Sequence, residues 1–239
     1  MNQTVLDVKN LKTEFINDKK AFPIIKDVNF KLERGKVLGI VGESGCGKSV
    51  TVNTVLNLLP KNGRIAEGEI TYFDEDKPIE LQKLKQYGKE FRKLRGEKIS
   101  MIFQDPMSAL NPVYTIGNQI TEVLFEHYDI SKEEANKRAI EMLEKLGIHN
   151  AKERMNDYPH QFSGGQRQRI VIAIAMVCNP DILIADEPTT ALDVTIQAQI
   201  LDLLDELRKE HGTSIILITH DLGVIAQIAD EVAVMYAGE

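Results

Sequence analysis

Cysteine is scarce in this chain: its 239 residues include only Cys46 and Cys178, with no close Cys or His partner in sequence. That excludes a disulfide framework and any zinc-ligand spacing. Cys178 ends an apolar helical stretch, where a small buried hydrophobe suffices. Long apolar runs are missing as well. The longest, residues 170–178, falls far short of the ~20 residues needed to span a bilayer. The opening Met1-Asn2-Gln3-Thr4 lacks the charged and apolar regions of a secretion signal, so a cytosolic chain is expected, reaching any membrane through a partner. There is no basic excess. The formal net charge is −7, which offers no footprint for nucleic acid, and no nucleic-acid partner is expected. Basic residues do gather between 83 and 98, but acidic ones are interspersed, and the stretch reads as a solvated helical face. Internal repeats and low-complexity tracts are absent. An apolar content of 43% with 27% charged residues is ordinary for a globular protein able to bury a sizeable core.

The stretch 37–60 organises the rest. Val37-Leu38-Gly39-Ile40-Val41 is an apolar run of strand length, followed by Gly42-Glu43-Ser44-Gly45-Cys46-Gly47-Lys48-Ser49. These eight residues match the phosphate-loop pattern of two glycines and a Lys-Ser pair. After Val50 the spacing turns helical, with Val52, Val55, Leu56 and Leu59 at i, i+3, i+4 and i+7 and Pro60 as the stop. Glycines let backbone N–H groups turn inward around an anion, and the helix N-terminus adds its positive end. Lys48 suits the β- and γ-phosphates, and the Ser49 hydroxyl suits Mg²⁺. A glycine turn before an ordinary helix would give the same local pattern, so the decision rests on what lies downstream.

Before this stretch, residues 5–8, 15–16, 24–25 and 28–32 read as short strands, and 68–73 adds another, so a small antiparallel sheet is expected. Residues 74–98 read as a charged loop with one surface helix, and 98–103 as a buried strand ending on Gln104. Residues 113–157 are helical. Ile116, Ile120, Val123 and Leu124 form one face; Ser131 with Glu134 forms a capping box, Ala135, Ala139, Met142, Leu143 and Leu146 follow, and Gly147 stops the helix. Beyond Tyr158-Pro159 a helix is expected over about 165–178, then strand 182–185, a helix closed by Gly212, strand 214–219, a short helix 222–229 and strand 232–236. This alternation predicts an α/β fold with a mainly parallel sheet. One domain is expected, its core at about 1–104 and 158–239 and a helical subdomain inserted at about 105–157.

Parallel sheets gather functional groups at the carboxyl ends of their strands. Here those ends present the phosphate loop, Gln104, Asp186-Glu187 and His220. An acid closing an apolar strand suits a second Mg²⁺ contact, which assigns Asp186 to the metal. Glu187, one residue on, is placed to orient or deprotonate the water attacking a γ-phosphate. Gln104 is a candidate sensor of metal or water and His220 a candidate γ-phosphate contact. Each alone has a duller reading: His220 as a cap, Gln104 as a loop residue.

Phe162-Ser163-Gly164-Gly165-Gln166-Arg167-Gln168-Arg169 resembles the signature motif of the ATP-binding cassette (ABC) family. Residues 42–49 then resemble its Walker A motif, Gln104 its Q-loop, 182–187 its Walker B motif with the catalytic Glu187, Ala191-Leu192-Asp193 its D-loop and His220 its switch histidine. The resemblance covers nearly the whole chain in family order. It implies a P-loop ATPase that binds ATP and Mg²⁺ and works as a dimer. Ser163, Gly164, Gly165 and Gln166 would contact the γ-phosphate of ATP held by a second cassette, itself or a related subunit. Phe162 departs from the commoner leucine, and the aromatic that stacks on adenine is not obvious: Phe15 is the candidate, with Phe22 competing. Residues 103–112 and 158–161 further resemble the peptide and nickel importer branch. That implies transmembrane permease subunits as partners, indirect cooperation with an extracytoplasmic solute-binding protein, and a peripheral place on the cytoplasmic face of the membrane. A DNA-repair or chromosome ATPase would need a long coiled coil, a translation-type protein would carry two cassettes, and a P-loop kinase would lack the signature. Members of that branch usually continue past the point where this chain stops, and some carry an iron–sulfur cluster there. A truncated cassette is therefore expected, and with two cysteines no cluster.

Overall fold

The computed structural model describes residues 3–75, 77–190 and 192–239, and for Pro106 and Met107 the backbone alone; Met1, Asn2, Asp76 and Ala191 lie outside the described residues. Strands β1 (Thr4–Asn17) and β2 (Lys20–Glu33) form one long antiparallel hairpin. Its two-residue turn places Asp18 and Lys19 at φ 47° and 64°, the left-handed pair that matches the strands' own twist. Four short strands were expected here. Register shifts, such as that between Val8 and Leu11 where Asn10 sits at φ 48°, interrupt the alternation without ending the strands.

Strand β3 (Val37–Gly42) is followed by helix α1 (Lys48–Val55). The helix stops one turn before the apolar spacing does, because Asn57 turns the chain at φ 50°; Leu56 and Leu59 are nonetheless buried. Strand β4 (Gly63–Asp74) pairs with β1, and β5 (Lys77–Glu80) with β4, giving a four-stranded sheet in the order β2-β1-β4-β5. Within the expected charged loop lie β5 and helix α2 (Lys89–Leu94). That helix is only half a surface element, since Phe91 and Leu94 are buried beneath its charged rim.

The second sheet is parallel throughout, in the order β6-β7-β8-β3-β9: β6 (Ile99–Ile102), β7 (Ile182–Asp186), β8 (Ser214–Ile218) and β9 (Glu231–Met235). Between β6 and β7 run α3 (Pro106–Ala109), α4 (Ile116–His127), α5 (Lys132–Lys145), α6 (Ala151–Arg154) and α7 (Gly164–Met176). Helices α8 (Val194–His211) and α9 (Leu222–Ile228) precede β8 and β9. Ser131 caps α5 by accepting from the Glu134 N–H at 3.1 Å. The Glu134 carboxylate turns instead to Arg138 Nε at 2.8 Å, so the expected capping box is half made.

Period-two alternation sorts the parallel strands between two cores. Ile182, Ile184, Ile216, Ile218, Leu38 and Ile40 face the antiparallel sheet and α1. Leu183, Ala185, Ile215, Leu217, Val37 and Val41 face α4, α5, α7 and α8. Because α1 is packed between the two sheets, the loop before it is held from both sides.

Candidate functional site

The phosphate loop needs its glycines. Gly42, Gly45 and Gly47 have φ of 157°, 82° and 111°. A Cβ on Gly42 would lie 2.2 Å from the Met235 carbonyl oxygen, and one on Gly47 would lie 2.7 Å from Ile25 Cδ1. Glu43, Ser44 and Gly45 form the exposed rim, while Cys46 is buried inside the turn. No side chain caps α1, and no acid occupies its first turn, so its leading N–H groups are left for an external acceptor. Lys48 is 7% exposed, and its ammonium donates to the carbonyls of Gly42 at 2.8 Å and Glu43 at 3.0 Å.

The strand ends arrive at this loop. Ser49 Oγ donates to Asp186 Oδ1 at 3.1 Å, joining the start of α1 to the end of β7. Asp186 is 5% exposed, and burial raises its pKa above the ordinary carboxylate value; Ser49 opposes the rise, Glu187 adds to it and Lys48 offsets it. A buried carboxylate beside a hydroxyl is a hard oxygen pair short of positive charge, which fits a divalent cation.

Glu187 follows at φ 48°, an uncommon conformation for a non-glycine residue, fixed by its N–H donating to the Ile218 carbonyl at 2.9 Å. Its carboxylate collects three groups. Gln104 Nε2 donates to Oε2 at 2.9 Å, Thr190 Oγ1 donates to the same oxygen at 3.0 Å, and His220 Nδ1 lies 3.4 Å from Oε1. A carboxylate only accepts, so the Gln104 amide nitrogen must face it and Oε1 points elsewhere. Gln104, Glu187 and His220 are thus brought together as the strand-end reading expected. Thr190 was missed; its signal is local, three residues after Glu187 in a turn closed by Thr190 N–H donating to the Glu187 carbonyl at 3.2 Å.

A cavity of about 200 Å³ is lined by Ile24, Lys48, Ser49, Val50, Gln104 and Glu187 among others. Larger hollows exist, such as one of about 420 Å³ beside α2, but it holds none of the strand-end groups. The structure does not bring Phe15 to the cavity. It pairs with Phe22 and Gly63 on neighbouring strands, and its ring covers the site where Gly63 lacks a side chain, 2.9 Å from a Cβ built there. Ile24 of β2 lines the cavity instead.

The second glycine motif sits elsewhere on the chain's surface. Ser163 caps α7: Ser163 Oγ accepts from Gln166 N–H at 3.3 Å, and Gln166 Oε1 accepts from Ser163 N–H at 3.1 Å. Ser163 and Gly164 are exposed, and nothing lies within 4 Å of a Cβ built on Gly164. Gly165 faces Ile196 of α8, where a Cβ would come within 3.0 Å. Asp193 caps α8 by accepting from Ile196 N–H at 2.9 Å. Phe162 is buried, with the Arg154 guanidinium 4.0 Å over its ring centroid. Arg154 also donates to the Gln161 carbonyl at 3.1 Å and to Asp157 at 3.0 Å.

The ABC transporter family profile matches residues 25–190. The chain is 53% identical over 238 residues to the dipeptide transport ATP-binding protein DppD of Bacillus subtilis (strain 168), covering 99% of this chain and 69% of that protein. It is 55% identical over 236 residues to the oligopeptide transport ATP-binding protein OppD of the same strain, covering 98% and 64%. Among solved structures, dimeric MJ0796, a bacterial ABC transporter cassette, has a TM-score of 0.83 at 32% identity, covering 98% of this chain and 95% of that one. The same cassette is known in a dimeric post-hydrolysis state bound to ADP and Pi.

Proposed function

This chain belongs to the ABC transporter family, and from that premise we propose that it is the ATP-hydrolysing subunit of an importer for di- or oligopeptides. The observation that carries the chemistry is the meeting of Gln104, Thr190 and His220 on one carboxylate, Glu187, beside the phosphate loop. Residues 42–50 cradle the phosphates of ATP, and Lys48 supplies their cation. Ser49 and Asp186, with Oε1 of Gln104, form the oxygen set that would hold Mg²⁺; when bound, it neutralises charge on the β- and γ-phosphates. Glu187 orients the attacking water and takes its proton as the new bond to phosphorus forms and the bond to the β-phosphate oxygen breaks. His220, at the end of β8, positions that carboxylate and faces the γ-phosphate.

Ser163, Gly164, Gly165 and Gln166 act in trans in this reading, on ATP held by a second cassette, with Asp193 at the same seam. Peptide import follows from the likeness to DppD and OppD, of which this chain spans about two thirds of the length. The permease would meet residues 105–157, acting as the inserted subdomain, at a groove of about 500 Å³ lined by Tyr114, Asn118, Thr121, Glu122, Phe125 and Glu126. Tyr114 and Phe125 are 52% and 46% exposed there, large apolar surface for an isolated chain to leave wet. Docking at that groove would hold the cassette on the cytoplasmic face of the membrane. No described helix is long and apolar enough to cross it.

The test is Glu187→Gln. ATP binding should persist while hydrolysis falls by roughly 10²–10⁴-fold, the scale of a lost general base. Hydrolysis at the parental rate would overturn the assignment.

A further inference from the structure

The basic stretch between 83 and 98 does not behave as one solvated face. Lys83 pairs with Glu80 at 2.7 Å, and Lys98 with Asp74 at 3.4 Å. Arg95 turns inward over the Phe91 ring, 4.4 Å from its centroid. The acids of the stretch, Glu90 and Glu97, line a neighbouring cavity whose lining Lys93 shares. Of the remaining cations, Lys89, Arg92 and Lys93 lie together on α2. Among the described residues none of these three has a carboxylate partner, and Arg92 reaches only the Tyr87 carbonyl at 3.4 Å. All three line a second cavity of about 380 Å³, completed by Glu126 and His127 at the end of α4.

Two features give this cavity a direction. A chain with net charge −7 leaves three exposed cations unpaired at one place, where their hydrogen-bonding capacity faces outward. And Glu126 lines both this cavity and the groove proposed above for the permease, so the two are contiguous. A cassette docked by that groove would hold the cationic cavity against the bilayer beside the permease. Flexible Lys and Arg side chains near an anionic leaflet bind headgroup phosphates through charge and hydrogen bonds together.

We propose that Lys89, Arg92 and Lys93, with His127, form a binding surface for the headgroups of anionic phospholipids, a second membrane contact that needs no permease residue. Its orientation toward the membrane rests on the groove reading; its lipid chemistry is tested without it. The purified chain is sedimented with vesicles of phosphatidylcholine alone and with vesicles containing phosphatidylglycerol, at low and physiological salt. Binding should require phosphatidylglycerol and weaken with salt. Each basic residue near the surface contributes roughly a fivefold gain in affinity, so Lys89→Glu/Arg92→Glu/Lys93→Glu should lose on the order of a hundredfold or more. The same charge change on the exposed face of the insertion, Lys132→Glu/Lys137→Glu/Lys152→Glu, should lose far less. Circular dichroism and ATP binding, neither of which involves these side chains, report that the variants are folded.

Equal binding to both kinds of vesicle, or equal losses in the two triple variants, would overturn the proposal. So would a triple variant that binds vesicles normally but no longer couples to permease in detergent, since the cations would then serve a protein partner. Vesicle binding that survives disruption of the groove by Phe125→Glu would leave this proposal standing even if the permease reading failed.

Discussion

The helix after Gly47 and the helix after Ser163 both open on glycine-rich turns, yet they treat their first amides in opposite ways. Helix α1 has no side-chain cap, and its loop is enclosed by its own chain: Ser49 reaches Asp186, and Lys48 is buried beneath the carbonyls of Gly42 and Glu43. Helix α7 is capped by the reciprocal pair of Ser163 and Gln166, its start is exposed, and there is open space above Gly164. The first is a cradle with its candidate metal donors beside it; the second is a preformed donor surface with open space over Gly164. An uncapped helix start is costly unless something else accepts from it, whereas a capped one is stable while it waits. On this comparison the proposed catalytic unit is one loop from each of two chains.

The largest effects should come from disabling each loop in turn. Lys48→Ala removes charge-assisted bonds to the phosphates, and ATP affinity of the single chain should fall roughly tenfold to a hundredfold. Ser163→Arg should leave that affinity unchanged while turnover drops to background, and parental activity should rise faster than linearly with protein concentration. Titration of labelled nucleotide beside steady-state assays would check both. If Ser163→Arg weakened single-chain binding as much as Lys48→Ala does, the two loops would not be halves of separate sites.

A smaller effect should appear at the support beneath Ser163. Arg154 lies over Phe162 and ties the preceding backbone, so the end of α6 sets where the signature loop begins. A partly desolvated cation–π contact is worth about 0.5–2 kcal/mol. Arg154→Met should lower kcat by roughly threefold to thirtyfold on that scale, with ATP binding unchanged. In a double-mutant cycle with Phe162→Leu the two losses should not add; additive losses would mean that the stack does no positioning.

The smallest effect concerns the cradle's own cost. Burial raises the Asp186 pKa in the fold, so the folded state holds a proton there more tightly than the unfolded chain does. Stability is then lost as pH rises from the unfolded value through the raised one, so the penalty falls on the alkaline side of that window. Asp186→Asn should therefore raise Tm at pH 7 in the absence of nucleotide and Mg²⁺, by about 2–4 °C for each kcal/mol relieved. The gain should shrink on acidification below the ordinary carboxylate range. A Tm unchanged or lowered at pH 7 would contradict it.

What could be read ahead of the structure was whatever lay within one contiguous motif. Residues 42–49, Asp186-Glu187 and 163–166 each carry their chemistry locally, and strand–loop–helix order places them. The meeting of Gln104, Glu187 and His220 was legible because each follows a strand of one parallel sheet; other contacts that cross elements were hidden. Arg154 lies eight residues before Phe162 with nothing in the spacing to pair them. Ile24 lines the cavity because β2 passes beside the phosphate loop, whereas Phe15 was favoured for being aromatic and lies over Gly63 instead. The hairpin of β1 and β2 read as fragments because bulges reset its alternation. The buried side of α2 was masked by its charge, since only Phe91 and Leu94 speak for it.

The backbone at Glu187 has a consequence for how such a chain is inherited. At φ 48° a glutamate is held where glycine, or asparagine at lower cost, would rest more easily, a strain of order 1–3 kcal/mol. A population screened for thermal stability alone would drift toward glycine at 187 and lose the carboxylate on which Gln104, Thr190 and His220 converge. Persistence of glutamate there needs selection for turnover in every generation, and the residue would be among the first to go in a lineage that kept the fold for another use.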